Sequence, residues 1–319
     1  MSADGPDIRF TSDQVEAWRR DGGVVIERFF TPAECAAVVA DFETVFGRTE
    51  GAEAPKDFKK PGEIGRFNRH QADLNDTIPF DCSPALNLIA VHPALMALAR
   101  ALLGTEDVLL YQGEVWAKFT GDADYDQDFH CDYGNHTLTA PSEDSRFNSL
   151  TTLCYFTDVS EAHGPAHFVP RPATEAIASP EMSLNRAASA GLQQKLAAAA
   201  RSSAAPAGSI FPYTIDVWHR GTNLTAPRGR RFAVMASYHR ADVPSVNRYA
   251  WPYYGFRPWR MIFEHASVDQ LAMFGVQRPG HPFWTAETLR RTEARYPGWD
   301  SSPWRDALVR PRRKSSAAA

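Results

Sequence analysis

The chain has 319 residues, and its hydrophobic content of 44% and charged content of 23% are ordinary for a globular protein with a sizeable core. The formal net charge of −4 gives no support for a nucleic-acid or membrane partner, and no apolar run is long enough to span a bilayer. The N-terminal residues lack the pattern of a signal peptide, and the four cysteines lack the spacing of a disulfide framework. We therefore expect reduced thiols and a cytoplasmic protein, and we make no prediction of its oligomeric state.

The first 107 residues are predicted to form a mainly helical flank. Thr11 and Gln14 have the spacing of a capping box, in which each side chain bonds the other residue's backbone N–H. Thr31, Pro32 and Glu34 begin a second helix in the same way, with proline at the first helical position. The predicted helices cover residues 11–21, 31–46 and 93–104, with a short buried strand at residues 24–26 and an irregular segment at residues 47–82.

From residue 108 the sequence becomes rich in β-branched and aromatic residues with a period of two. The strongest predicted strands cover residues 108–119, 149–157 and 232–238, with shorter ones at residues 168–169 and 209–211. The alanine-rich residues 187–207 predict a helix and a loop inserted between strands. Short strands joined by long loops predict a mainly β fold with flanking helices. We expect its core, residues 108–243, to be a double-stranded β-helix, or jelly roll.

Residues 244–319 are predicted to form an aromatic and helical C-terminal extension. Ser267 and Thr285 are the predicted N-caps of two of its helices, because each stands immediately before a helical pattern. Residues 310–319 are basic and then rich in serine and alanine, which predicts disorder. The chain shows no internal repeat and no linker, so the sequence predicts a single domain over residues 1–319.

The candidate chemistry centres on His130, Asp132 and His219. Two imidazoles and one carboxylate can hold one face of an iron(II) octahedron and leave the opposite face open. In an extended strand, residues i and i+2 point to the same side, so His130 and Asp132 can face one metal while His219 arrives from another strand. The His-x-Asp pattern alone is common by chance, and the same three ligands also suit zinc.

Arg230 lies eleven residues beyond His219 and carries a planar, permanently charged fork that suits a carboxylate. Its neighbour Arg231 is the alternative, and alternation along a strand predicts that only one of the two faces the site. A two-histidine, one-carboxylate centre with a nearby arginine indicates an oxygenase that uses Fe(II), O2 and 2-oxoglutarate.

Over about residues 11–240 the chain resembles the phytanoyl-CoA dioxygenase family, a branch of the iron/2-oxoglutarate oxygenases. The resemblance depends on segments that occur in the same order: an N-terminal helix followed by Asp21-Gly22-Gly23-Val24-Val25-Ile26, the strand from Gln112 to Lys118, His130-x-Asp132, the run from Tyr155 to Ser160 with Gly164-Pro165 and Phe168-Val169-Pro170, and His219 through Arg230-Arg231. The chain departs from the family where Pro170-Arg171-Pro172-Ala173 replaces the usual Pro-Gly-Ser-His. That change touches no predicted ligand.

The resemblance implies roles for particular residues. His130, Asp132 and His219 would be the catalytic iron ligands, and Arg230 would bind the distal carboxylate of 2-oxoglutarate. The further residues predicted to lie near this cosubstrate are Gln112, Lys118 and Thr222, with Thr225 as the alternative hydroxyl. The first candidates for substrate contact flank the ligands and are Phe129, Tyr133, Asn135, His136 and Trp218.

The implied function is a non-haem Fe(II)- and 2-oxoglutarate-dependent dioxygenase that hydroxylates or desaturates a small molecule and releases succinate and CO2. Two alternatives share the same ligands: a zinc-dependent hydrolase, and a non-catalytic jelly roll that binds a metal. Arg230 argues against the hydrolase, because hydrolysis needs no second carboxylate clamp. Fold resemblance does not identify the substrate.

Overall fold

The computed structural model describes residues 7–46, 78–120, 126–136, 141–177, 189–243 and 258–309. The helices within these ranges are α1 Ser12–Asp21, α2 Pro32–Phe46, α3 Pro84–Asn87, α4 Pro93–Leu103, α5 Tyr133–His136, α6 Arg171–Ile177, α7 Ala190–Ala199, α8 Trp259–His265, α9 Val268–Met273, α10 Ala286–Arg295 and α11 Ser302–Val309. The strands are β1 Val108–Phe119, β2 Leu150–Tyr155, β3 Ala166–Phe168, β4 Arg201–Ser202, β5 Ile210–Thr214, β6 His219–Gly221 and β7 Arg230–Arg240. Most of the predicted irregular segment at residues 47–82, and the predicted disordered tail, lie outside the described residues.

The N-terminal helices begin and end where the capping signals predict. Thr11 Oγ1 accepts from the Gln14 N–H at 3.3 Å, while Gln14 Oε1 accepts from the Thr11 N–H at 2.9 Å. The helix α1 ends at Gly22, whose φ of 77° lies in the left-handed region. Glu34 completes the same kind of box at α2 by accepting from the Thr31 N–H at 2.7 Å. These contacts confirm the predicted starts of α1 and α2.

The strands form two antiparallel sheets. One has the order β1-β7-β2-β5, and the other has the order β4-β3-β6. Side chains from both sheets pack in one apolar cluster, which we call the interior cluster; it includes Leu153, Tyr155, Phe168, Phe211, Tyr213 and Ala233. The two sheets therefore face each other across this cluster, as a jelly roll requires.

The two faces of strand β7 pack against different parts of the molecule. Phe232 and Val234 pack with α2 and α4 in the largest apolar cluster, so this face of the strand lies against the helices. Ala233 belongs to the interior cluster, and Met235 packs against it. Because side chains alternate along a strand, even-numbered residues of β7 face the helices and odd-numbered residues face the space between the sheets.

The five strands predicted from residue 108 onward are present, the first with its predicted bounds and the others with shifted ends, but two details differ. The predicted strand at residues 24–26 is reduced to isolated bridges, from Gly23 to Tyr213 and from Ile26 to Ile210. The short strands β4 and β6 were not predicted, because two or three residues are too few to show a period of two. The alanine-rich stretch contains the expected helix, α7, which Ser189 caps by accepting from the Leu192 N–H at 3.2 Å.

The C-terminal helices have an apolar core of their own, formed mainly by aromatic side chains: Trp259, Phe263, Trp284, Tyr296, Trp299 and Trp304. Ser267 and Thr285 cap α9 and α10 as predicted, each within a complete capping box. Gln270 Nε2 donates to the Val91 carbonyl at 3.1 Å, so this extension contacts the N-terminal helical flank. Among the residues that the structure describes, no helix has the length and apolar character needed to cross a membrane.

Candidate metal centre

The structure brings the three predicted ligands together through backbone pairing. His130 and His219 form an isolated antiparallel bridge, in which each N–H donates to the other's carbonyl at 2.9 Å. On its other side His219 pairs with Phe168 of β3, and the Asp132 N–H donates to the Ile215 carbonyl at 3.0 Å. Two segments that are distant in the sequence thus place the histidines side by side. Asp132 follows His130 by two residues and therefore points to the same side.

The ligand atoms converge on one point. His130 Nε2 lies 3.7 Å from Asp132 Oδ1, and His219 Nε2 lies 3.5 Å from Asp132 Oδ2. One nitrogen from each histidine and one carboxylate oxygen all lie within 4.8 Å of one another. Ligands at about 2 Å from a common metal are separated by distances of this order. The three side chains can therefore hold one metal ion with modest adjustment.

Both imidazoles are oriented by hydrogen bonds from their second nitrogen. His130 Nδ1 lies 2.8 Å from the Asp128 carbonyl, and His219 Nδ1 lies 3.0 Å from the Val217 carbonyl. A carbonyl oxygen can only accept, so each Nδ1 carries a proton, and Nε2 is the nitrogen that each ring can offer to a metal. Burial also lowers the pKa of His219, because desolvation disfavours its charged form, although the Asp132 carboxylate opposes this effect. The donor set is thus two imidazole nitrogens and a carboxylate, which fits Fe(II).

Tyr213 adds a hydrogen bond to the carboxylate that the sequence did not predict. Its hydroxyl donates to Asp132 Oδ2 at 3.3 Å. Burial raises the pKa of Tyr213 well above its usual range, and the charge of Asp132 adds to this effect. The hydroxyl therefore keeps its proton and remains a donor at neutral pH.

The two candidate arginines lie on opposite faces of β7. Arg230 lies on the helix-facing side of β7, where its guanidinium pairs with Glu43 of α2 and lies 4.8 Å from the centre of the Phe232 ring. Arg231 faces the space between the sheets, is only 4% exposed, and donates from Nη1 to the Gly164 carbonyl. Of the two, Arg231, which the sequence offered as the alternative, is the one on the interior face.

Lys118 and Thr222 lie on the same side as Arg231. Lys118 is directly opposite Arg231 in the pairing of β1 with β7, and it is 1% exposed. Its Nζ donates at 2.5 Å to the carbonyl of Thr222, which is three residues beyond His219. The Thr222 hydroxyl donates to the Pro165 carbonyl at 2.7 Å, whereas Thr225 is exposed. Two buried cations therefore stand close to the strand that carries His219.

Gln112 is fully buried at the other end of the interior face of β1. Its Oε1 accepts from Ser237 Oγ at 3.4 Å, and its Nε2 has no hydrogen-bond partner among the described residues. Pairing with Ser237 places Gln112 six residues along β1 from Lys118. The predicted pair of cosubstrate residues is thus spread over the length of the strand.

The candidate substrate contacts fall into two groups. Phe129 and Trp218 are core residues that pack with Leu192 and Leu196 of α7, since each alternates with a ligand and points away from it. Tyr133 packs against the same cluster. His136 is buried and lies 2.7 Å, through Nδ1, from the Tyr111 hydroxyl. The side chain of Asn135 lies outside the described part of the chain.

Gly164 accepts a hydrogen bond from Arg231 and packs closely against Thr222, and we predict that it tolerates no side chain. Its φ is +71°, and an added Cβ would lie 2.5 Å from the Thr222 carbonyl oxygen. Gly164→Ala is expected to destabilise the fold by about 1–3 kcal/mol, measured by thermal or urea unfolding. Gly191→Ala in α7 is the matched control, because its added Cβ would meet nothing within 4 Å. Equal unfolding midpoints for the two variants would contradict the prediction.

The fold and the site together define a jelly-roll protein with a two-histidine, one-carboxylate centre. The chain belongs to the phytanoyl-CoA dioxygenase (PhyH) family, whose sequence profile matches residues 18–232. The family resemblance inferred from the ordered motifs is thereby confirmed. Family membership favours neither the zinc hydrolase nor the non-catalytic alternative.

The chain is also similar to curated relatives. Ectoine dioxygenase from Bordetella parapertussis is 28% identical over 162 residues, which are 50% of this chain and 48% of the relative. Ectoine dioxygenase from Bordetella bronchiseptica is 27% identical over the same shares of the two chains. The chain thus spans about half the length of the curated relatives it matches.

Solved structures agree on the fold. EctD from S. alaskensis, solved with 2-oxoglutarate and 5-hydroxyectoine, has a TM-score of 0.53 at 15% identity and covers 81% of this chain and 85% of its own. The non-haem epimerase SnoN from nogalamycin biosynthesis has a TM-score of 0.51 at 18% identity, over 72% of this chain and 82% of its own. The predicted class, a mainly β jelly roll with flanking helices, is confirmed.

Proposed function

We propose that this protein is a non-haem Fe(II)- and 2-oxoglutarate-dependent dioxygenase that oxidises a small molecule. The observation that carries the proposal is the convergence of His130, Asp132 and His219 within 4.8 Å, in a chain of the phytanoyl-CoA dioxygenase family. When bound, iron and 2-oxoglutarate supply the oxidation: one oxygen atom of O2 enters a substrate C–H bond, and 2-oxoglutarate is converted to succinate and CO2. Desaturation, with release of water, is the alternative outcome for the substrate.

We assign the distal carboxylate of 2-oxoglutarate to Arg231, with Lys118 beside it. Both side chains are almost fully buried and stand opposite each other on neighbouring strands. A buried cation needs a compensating anion, and here two cations lie together. Arg231 Nη1 donates to the Gly164 carbonyl, and Lys118 Nζ donates to the Thr222 carbonyl, so both side chains are held beside the strand that carries His219. Two adjacent cations suit a dianionic cosubstrate, and the guanidinium fork can bind one of its carboxylates through two oxygens. Thr222 and Gln112 carry no charge, so we propose that they contribute little to binding the cosubstrate.

The remaining residues around the metal position the ligands and exclude water. The Asp128 and Val217 carbonyls fix the tautomers of the two histidines. Phe129 and Trp218 close the apolar core behind the strands that carry the ligands. A dry, ordered site protects the oxidising chemistry from side reactions. We also propose a cytoplasmic location, which the four free cysteine thiols support.

The proposal predicts a spectroscopic and a chemical result for the full-length chain. Anaerobic addition of Fe(II) and 2-oxoglutarate should give a weak visible charge-transfer band, which Zn(II) cannot give. Exposure to O2 should then yield succinate, and a metabolite screen read out by succinate should identify the substrate class. Ectoine belongs in this screen because curated relatives carry its name. Absence of the band together with absence of succinate would contradict the proposed function.

A further inference from the structure

The hydroxyl of Tyr213 lies against the carboxylate of the candidate metal centre. Tyr213 is a buried residue of β5, and its hydroxyl donates to Asp132 Oδ2 at 3.3 Å. Its ring also packs against the His219 ring, with the two centroids 4.6 Å apart. Of the two Asp132 oxygens, Oδ1 lies 3.7 Å from His130 Nε2, and Oδ2 lies 3.5 Å from His219 Nε2. Tyr213 therefore contacts two of the three ligands and engages one particular carboxylate oxygen.

We propose that Tyr213 is a positioning residue that keeps Asp132 a one-oxygen metal ligand. A carboxylate can bind a metal through one oxygen or through both. Three single-atom protein ligands leave three positions of an octahedron, two for a chelating cosubstrate and one for O2. If both oxygens of Asp132 bound, only two positions would remain. A hydroxyl that donates to Oδ2 competes with the metal for that oxygen and so favours the one-oxygen mode.

The surroundings of Tyr213 hold its hydroxyl in place. Thr151 is directly opposite Tyr213 in the pairing of β2 with β5, and its hydroxyl lies 3.1 Å from Ser237 Oγ. Ser237 in turn donates to Gln112 Oε1 at 3.4 Å. These polar side chains are fully buried on the interior faces of β1, β2 and β7, where hydrogen bonds cannot exchange with water. Tyr213 thus stands next to a buried group of polar side chains that belongs to the frame of the sheet.

The test is the metal affinity of the full-length apoprotein, measured by titration with Co(II) in competition with a chelator. Tyr213→Phe removes one oxygen atom and keeps the ring that packs on His219. Loss of a residue that orients a metal ligand is expected to weaken binding about 10- to 100-fold. The visible spectrum of bound Co(II) should also change, because the binding mode of the carboxylate alters the coordination number. A purely structural role for Tyr213 would leave that spectrum unchanged.

Tyr155→Phe is the matched control for this variant. Tyr155 is buried in the same interior cluster, and its hydroxyl bonds Ser203 Oγ at 2.8 Å and the Ala166 N–H at 3.1 Å. Tyr155→Phe therefore loosens the fold without touching the ligands, and its Co(II) affinity and spectrum should match the wild type. Equal weakening in both tyrosine variants would overturn the proposal, as would wild-type affinity and spectrum in Tyr213→Phe.

A second pair of variants covers the case in which Tyr213→Phe does not fold. Thr151→Val removes the hydroxyl on the residue directly opposite Tyr213, and should shift the Co(II) spectrum in the same direction with a smaller loss of affinity. Thr152→Val is its control, because this neighbour is buried on the opposite face and its hydroxyl has no partner within the described structure. If the Co(II) spectra of Thr151→Val and Thr152→Val are identical, the proposed positioning role of Tyr213 is rejected. The inference depends on the proposed function, but a wild-type protein that binds no metal would refute that function separately.

Discussion

His219→Ala is expected to reduce the iron content of the purified protein steeply while the fold survives. The substitution removes one of three ligands, and it leaves the backbone bridge between residues 130 and 219 available. Metal analysis after reconstitution with Fe(II) measures the effect, and succinate formation should fall to background.

His167→Ala is the control for the loss of an imidazole. His167 lies on β3, next to the residue that pairs with His219, and its Nε2 lies 2.9 Å from Glu161 instead of the metal centre. Its removal should leave iron content within error of the wild type. Unchanged iron in His219→Ala, with far-ultraviolet circular dichroism confirming the fold, would show that this histidine is not a ligand.

Much of the fold could be predicted from the sequence, and so could the three residues that converge at the candidate metal centre, because the sequence patterns that indicate them are local. The capping boxes at Thr11 and Thr31 need only a few residues, and they define α1 and α2. The alternation of His130 and Asp132 within one extended segment likewise places two ligands on one side. The same alternation places Phe129 and Trp218 on the other side, since each directly precedes one of the two histidines and both pack in the apolar core.

Other features could not be predicted, since they depend on distant partners. Both faces of β7 are apolar, so the pattern around Phe232 and Ala233 does not show which face meets the helices. Glu43, which pairs with Arg230, lies 187 residues away in the sequence. Tyr213 is likewise 81 residues from the carboxylate that it contacts. The polar residues Ser237 and His239 lie on the same face as Arg231, and they indicate in the sequence that this face borders a polar interior.

Arg231→Ala is expected to raise the 2-oxoglutarate concentration needed for half-maximal activity by orders of magnitude, with little loss of bound iron. Truncating one partner of a buried, hydrogen-bonded charge pair costs roughly 2–5 kcal/mol, which corresponds to about 30-fold to a few thousandfold at tenfold per 1.4 kcal/mol. Arg231→Lys should keep the charge but lose the two-pronged geometry, so it should show the same defect to a smaller degree. The measurement is the 2-oxoglutarate dependence of the anaerobic charge-transfer band and of succinate formation.

Arg230→Ala is the decisive comparison, because the two arginines are adjacent and face opposite sides of one strand. Its removal breaks the ion pair with Glu43 and the contact with the Phe232 ring, so the free energy of unfolding should fall by about 1 kcal/mol. The 2-oxoglutarate requirement of Arg230→Ala should equal that of the wild type, since the lost side chain lies on the helix-facing side of β7. If Arg230→Ala shows the cosubstrate defect and Arg231→Ala does not, the assignment of the carboxylate to the interior face of β7 is wrong.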